Sequence, residues 1–262
     1  MLPHNLYLSA KHGCIQRVDS LHKEGSLPSF GISYLGALAA GHLRDHFSKQ
    51  NANAPWAAAE GKRLTEIANQ KGFTVKPTES EGPNVFISKR QISWNPSFDP
   101  NHPQPPGHGD PFALAHEIGH GDPKGSRAFL VLKHLAESKP ARTAANAATI
   151  ARFGLQNMAH SAEDPSEKTK LLRTAQTVAL GEAARHVPTL LEEGRATGRA
   201  LRAAHKRGQF WDAFKSLGPA FGHYAAVASE PLIDAGLMQR QIGKLQPKSP
   251  AVPPPVPKPP KP

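Results

Sequence analysis

The stretch 111–122, PFALAHEIGHGD, sets His116 and His120 four residues apart, with Glu117 directly after the first. In a helix the two imidazoles project from one face a single turn apart, the separation at which both can grip one metal ion. Glu117 then points about 100° round the helix from His116, too far to be a third ligand but placed to touch a water on such an ion. The helix start is well marked. The Asp110 carboxylate can accept from free N–H groups of the first turn, and Pro111 at the first helical position sacrifices no hydrogen bond. Gly121 is expected to end the helix in a left-handed cap. Phe112, Leu114, Ala115 and Ile118 form an apolar side, and Gly119 leaves room for another segment to come close. With 14 His in 262 residues, a shuffled chain would contain about 0.04 copies of His-Glu-x-x-His, so the pattern is informative by itself. The alternative is a solvated His-Glu-His helix that holds no metal.

Upstream, residues 95–111 are proline-rich and read as a loop. Before them, residues 55–94 read as a helix from Pro55 to Gly72 followed by short strands in FTV, NVFI and QISW, where β-branched and aromatic residues concentrate. The first 54 residues contain one legible helix, ISYLGALAAGHLRDHF at 32–47. There His42 and His46 are also four apart, but Leu43 stands where a glutamate would be needed, and the two read as a surface pair. From Ser126 to Lys244 only helix signals occur, rich in Ala, Leu and Arg, with breaks expected near Pro140, Pro165, Pro188 and Gly218. Residues 245–262, LQPKSPAVPPPVPKPPKP, hold nine prolines in eighteen positions. That tail is expected to be disordered and extended as polyproline II, a solvated spacer first and a ligand for a proline-reading partner second. The expected fold class is therefore α+β and mostly helical. Its segments are a helical 1–54, an α/β core over 55–125 carrying the His-Glu-His helix, an all-α 126–244, and the tail 245–262.

Composition narrows the chemistry. A single cysteine, Cys14, cannot form an internal disulfide or a thiolate zinc site, so any metal must be held by His, Asp or Glu. No basic start followed by an apolar stretch marks a secretory signal, and no run approaches the roughly 20 apolar residues of a membrane span, so a cytoplasmic location is expected. The net charge of +11 is uneven: Lys+Arg against Asp+Glu is 12 to 11 over residues 1–125, 17 to 10 over 126–244, and three lysines more in the tail. Such a basic second half can attract nucleic acid or an anionic surface, or serve solubility alone.

A helix, then strands, then a capped apolar helix bearing His-Glu-x-x-His resembles the zincin metallopeptidases. The resemblance covers about half of the chain and is specific at the motif. The metzincin branch continues with x-x-Gly-x-x-His, and Pro123 and Ser126 occupy those places here, which excludes it. The gluzincin branch, in the group that includes the membrane protease HtpX and the CAAX prenyl endopeptidases, takes its third ligand from a glutamate on a later helix, often within Glu-x-x-Ala-Asp. The resemblance thus implies a Zn2+ held by His116, His120 and such a glutamate. LLEEGRATGRAL at 190–201 matches with Glu193 and Ala196, but Thr197 stands at the aspartate position. On a helical projection Glu193 falls among Leu190, Ala196, Thr197, Ala200 and Leu201, where a buried carboxylate is costly without a cation, either zinc or an arginine from another helix. Glu192 falls instead with Arg195, Arg199, Arg202 and Lys206, a stripe that reads as solvated or partner-facing. Glu182, beside Leu171, Ala175, Val178 and Ala179, is the second candidate ligand, and Glu230, ahead of Pro231, the third.

The activity so implied is hydrolysis of a peptide or protein substrate by a metal-activated water, with Glu117 as the general base. The segments NVFI or QISW would offer the edge on which an extended substrate pairs. His186, His205, His223 and Tyr224 are candidates for a second oxyanion donor, and the residues select none of them. Two other classes stand beside this one: a zincin-fold protein that binds a partner without turnover, and a basic helical nucleic-acid binder. The latter lacks aromatics for strand stacking and any helix-turn-helix or finger signature.

Overall fold

A computed structural model of the chain describes residues 28–77, 82–96, 107–121, 131–132, 135–136 and 138–246. Cys14, most of the proline-rich loop and nearly all of the proline-rich tail lie outside them. The protein is mostly helical with one small three-stranded sheet. Helix α1 spans Pro28–Ala52 and α2 spans Ala57–Gln70; strands β1 (Thr74–Lys76), β2 (Asn84–Phe86) and β3 (Gln91–Ser93) follow; then come α3 (Pro111–His120), α4 (Lys139–Ser161), α5 (Pro165–His205) and α6 (Phe210–Leu245).

The local reasons are legible residue by residue. Helix α2 ends where Gly72 takes φ +80°, the left-handed conformation that a residue without Cβ adopts freely. The three strands expected from their β-branched and aromatic content are present in that order. Strand β3 occupies the middle of the sheet, parallel to β1 and antiparallel to β2. Val75, Ile92 and Val85 lie abreast in register, and Ile92 is fully buried at the centre. QISW therefore supplies no edge; the edges are β1 and β2.

This sheet and α2 pack on α3 around one core of Leu64, Phe73, Ile92, Trp94, Phe112 and Ile118, closed by Ala200 and Ala204 of α5 and by Ala213 and Leu217 of α6. A second core, farther along the long helices, joins Ala159 of α4, Leu172, Ala175 and Ala179 of α5, and Ala235, Met238 and Ile242 of α6. Helix α5 runs through both. The alanines that dominate its buried face let neighbouring helices approach closely, and α1 meets α6 in the same way, Gly36 facing Ala226 and Gly222 facing Ala40. No helix among the described residues is long and apolar enough to cross a membrane.

Two expected breaks do not occur. Helix α4 starts at Lys139 beside Pro140, and α5 starts at Pro165 behind an Asp164 cap, as their prolines suggest. Helix α5 nevertheless continues through Pro188, and α6 through Gly218, Pro219 and Pro231. A mid-helix proline costs one hydrogen bond and about 3 kcal/mol. Packing of α5 and α6 against each other and against α1, α3 and α4 along their length offsets that cost.

The N-cap of α3 forms as its residues indicate: Asp110 accepts from Phe112 N at 3.0 Å, and Trp94 Nε1 donates to the Asp110 carbonyl at 3.2 Å. The side chain is 1% exposed and is surrounded by Ser48 and Asn51 of α1 and Ser216 of α6. Burial pushes its pKa up to about 7, against the pull of Phe112 N and those polar side chains. A carboxyl whose folded pKa is raised contributes stability that is complete below its ordinary value of about 4 and is lost as pH rises through about 7. Asparagine caps equally well without ionising. Asp110→Asn should therefore match the wild type in urea unfolding near pH 4 and exceed it above pH 7, by up to on the order of 4 kcal/mol.

Candidate metal centre

Helix α3 is ten residues long and buried on nearly every side. It crosses α5 at Gly119, where an added Cβ would lie 2.8 Å from the Ala196 carbonyl oxygen and 3.0 Å from its Cα. Only glycine permits that approach, and it is what brings residues 192–197 of α5 beneath His116 and His120. Gly121, by contrast, ends α3 at φ −74°, so the expected left-handed cap is absent. The physical reason for glycine there is Phe73, whose ring would sit 2.5 Å from a Cβ.

Three ligand atoms converge at the crossing. The Nε2 atoms of His116 and His120 are 3.1 Å apart, and Glu193 Oε2 is 3.1 Å from the first and 3.4 Å from the second. Ligand bonds of about 2.0–2.1 Å at tetrahedral angles put neighbouring donor atoms about 3.3 Å apart, so the three atoms fit one face of a zinc tetrahedron. Among the described residues these three form the one His/Cys/Asp/Glu group able to hold a metal ion.

The far side of each imidazole is also engaged. Thr197 Oγ1 lies 3.2 Å from His116 Nδ1, in the place where the resemblance leads one to look for an aspartate. Glu192 Oε1 lies 3.1 Å from His120 Nδ1 and accepts a 2.7 Å bond from Arg195 Nη2. A carboxylate at Nδ1 fixes that proton on the outer nitrogen and leaves Nε2 its lone pair, the tautomer a metal requires.

Glu192 corrects the helical projection. It is fully buried, and the stripe read as solvated or partner-facing includes two residues turned toward α3: Arg195, which pairs with Glu192, and Arg199, which donates to the Gly119 carbonyl at 2.9 Å and so satisfies the C-terminal end of α3. Arg202 and Lys206 remain exposed. The projection failed because α3 meets α5 over a broad arc that includes both glutamates. The run Glu192-Glu193, with arginine three residues after the first, was the signal that could have identified it.

The electrostatics favour a cation. Glu117, Glu192 and Glu193 are all buried, at 9%, 0% and 4% exposure. Burial disfavours a charged His120, but hydrogen bonding to Glu192 and Glu193 and the charges of Glu193 and Glu117 outweigh it and raise its pKa to about 9. Burial likewise pushes Glu192 up, yet the bonds from His120 and Arg195 hold it below the usual carboxylate range.

The other candidate ligands are elsewhere. Glu182 and Glu230 both face Arg152, at 2.7 and 2.8 Å, and Asp234 closes the same guanidinium, which is 1% exposed between α4, α5 and α6. Three carboxylates sharing one buried arginine lock α4 onto the other two helices and are not gathered with the histidine pair. Of the possible oxyanion donors, His223 Nδ1 is 3.0 Å from the Ala37 carbonyl, Tyr224 lies edge-on to His223, His205 lies against Phe210, and burial and Arg185 lower the pKa of His186. His42 and His46 are exposed, and His46 Nε2 lies 3.0 Å from Gln50 Nε2.

No family model, curated protein or solved structure matches the chain in comparisons with known proteins.

The crossing itself is open to test. Gly119→Ala gains about 1 kcal/mol of helix propensity but forces two backbones apart, an overpacking cost of about 1–3 kcal/mol. The variant should unfold at lower urea concentration than the wild type, whereas Gly181→Ala, whose Cβ would meet open space, should not.

Proposed function

We propose that the chain is a zinc-dependent metallopeptidase of the gluzincin type, with His116, His120 and Glu193 as metal ligands and Glu117 as the general base. One observation carries this reading: two histidines of α3 and one glutamate of α5 bring their ligand atoms to one spot, while Thr197 and Glu192 hold the two rings from behind. A solvated His-Glu-His helix has no reason to bring a buried carboxylate, Glu193, within reach of both Nε2 atoms.

Zinc held by these three residues would leave a fourth position for water, lower that water's pKa toward neutrality and polarise a substrate carbonyl. Glu117, directly after the first histidine in the sequence, would serve as the general base toward such a water and would hand the proton on to the leaving amine. Glu192 and Thr197 keep both Nε2 atoms aimed inward, and Arg195 keeps Glu192 ionised. Strand β2 packs against α3 and lies at the edge of the sheet, so Asn84–Phe86 offers backbone groups with which an extended peptide pairs.

Purified protein should contain about one zinc per chain by elemental analysis, lost or much weakened in His116→Ala and Glu193→Ala and retained in Glu182→Ala. Glu117→Gln should keep the zinc and lose hydrolysis of an unfolded protein substrate by about 100-fold or more. Because His120 holds a proton up to about pH 9 without metal, zinc must displace it, and affinity should fall as pH drops, by up to about tenfold per unit. Undiminished zinc in Glu193→Ala would overturn the ligand set. Zinc without hydrolysis would favour the binding protein that lacks turnover.

A further inference from the structure

The turn joining α5 to α6 carries an aromatic knob that the proposed chemistry does not use. Trp211 is 68% exposed and Phe214, one turn on, 45% exposed. Phe210 stacks on Phe214 at 5.9 Å and 16° and meets Trp211 edge-on, and Trp211 meets Phe214 edge-on at 6.0 Å. Around the knob Arg202, His205, Lys206 and Lys215 are exposed. Lys49 is exposed on α1 near its end, where Asn51 Nδ2 bonds the Asp212 carbonyl at 3.1 Å and so ties that end to the start of α6. Asp212 is the one acidic group in the first turn of α6 and lies 3.8 Å from Lys215. The result is two exposed rings, Trp211 and Phe214, backed by the half-buried Phe210 on a helix end whose neighbouring turns carry exposed basic side chains.

We propose that this tip docks the protein on an anionic membrane surface, with Trp211 and Phe214 entering the headgroup region and Arg202, Lys206, Lys215 and Lys49 contacting anionic lipids. Trp is the side chain best suited to that boundary, being apolar in body with one polar N–H, and each basic residue near an anionic leaflet adds a further increment of attraction. Nucleic acid fits less well. Base stacking on successive bases needs several free ring faces, and Phe210 and Phe214 each turn one face to the other, so that Trp211 is the one unstacked ring of the three. The tip lies about 18 Å along α5 from Glu193, at about 1.5 Å per residue, so docking there leaves the metal-binding residues clear of the surface. The inference is thus independent of any hydrolytic activity.

The full chain should co-sediment with vesicles of equal parts phosphatidylcholine and phosphatidylserine, far less with phosphatidylcholine alone, and progressively less as salt is raised. Of the three tryptophans, Trp94 is buried and Trp56 partly buried, so a blue shift of fluorescence on vesicle addition should disappear in Trp211→Ser. That variant and Lys206→Glu should each bind the mixed vesicles about tenfold more weakly, while Glu193→Ala binds as the wild type does. No association with the mixed vesicles, or equal association of Trp211→Ser and wild type, would overturn the proposal. So would a Trp211 fluorescence change produced by single-stranded DNA and not by vesicles.

Discussion

The contact between Gly119 and the backbone of Ala196 governs what the rest of the molecule can do. Two helices approach this closely only where one offers no side chain, and here the approach aligns a short helix bearing two histidines with a long one bearing two consecutive glutamates. The small sheet and α2 hold α3 from the other side through Phe112, Leu114 and Ile118. Asp110 pins its first turn, and Arg199 pins its last carbonyls. With both ends fixed and the middle in contact, the imidazoles have little freedom left, which is the condition for a precise ligand set.

The same crossing buries three carboxylates, those of Glu117, Glu192 and Glu193. Arg195 answers Glu192, and Glu193 faces the two histidine Nε2 atoms. Against burial, these carboxylates raise the pKa of His120 to about 9, and under the proposed function a metal ion would take that proton's place. The Arg152 cluster farther along α5 solves the same problem internally, with a guanidinium already supplied by α4. That contrast separates Glu193 from Glu182. Both are buried carboxylates on one helix: Glu182 faces the Arg152 guanidinium, and Glu193 faces the two histidine Nε2 atoms.

Much of this arrangement is written locally. Asp110-Pro111 marks the start of α3, the β-branched runs mark three strands in order, and the motif spacing marks the histidine pair. Gly119 could be read as a place of close approach because an apolar helix has little other use for glycine. What is not local resisted reading. The faces of a helix buried by three neighbours cannot be sorted by a single apolar stripe, so Glu192 looked solvated when it orients His120. Pro188 and Gly218 read as breaks until tertiary packing carries the helices past them. The role of Gly121 depends on Phe73, distant in sequence, and Thr197 looked like a defect until His116 Nδ1 was found beside it.

X-ray absorption at the zinc edge of the loaded protein tests the central claim most directly, because it counts ligand types without reference to activity. A four-coordinate shell should appear, with two imidazole nitrogens and two oxygens at about 2.0–2.2 Å. A six-coordinate shell of oxygens, or a shell with fewer than two imidazoles, would contradict the account.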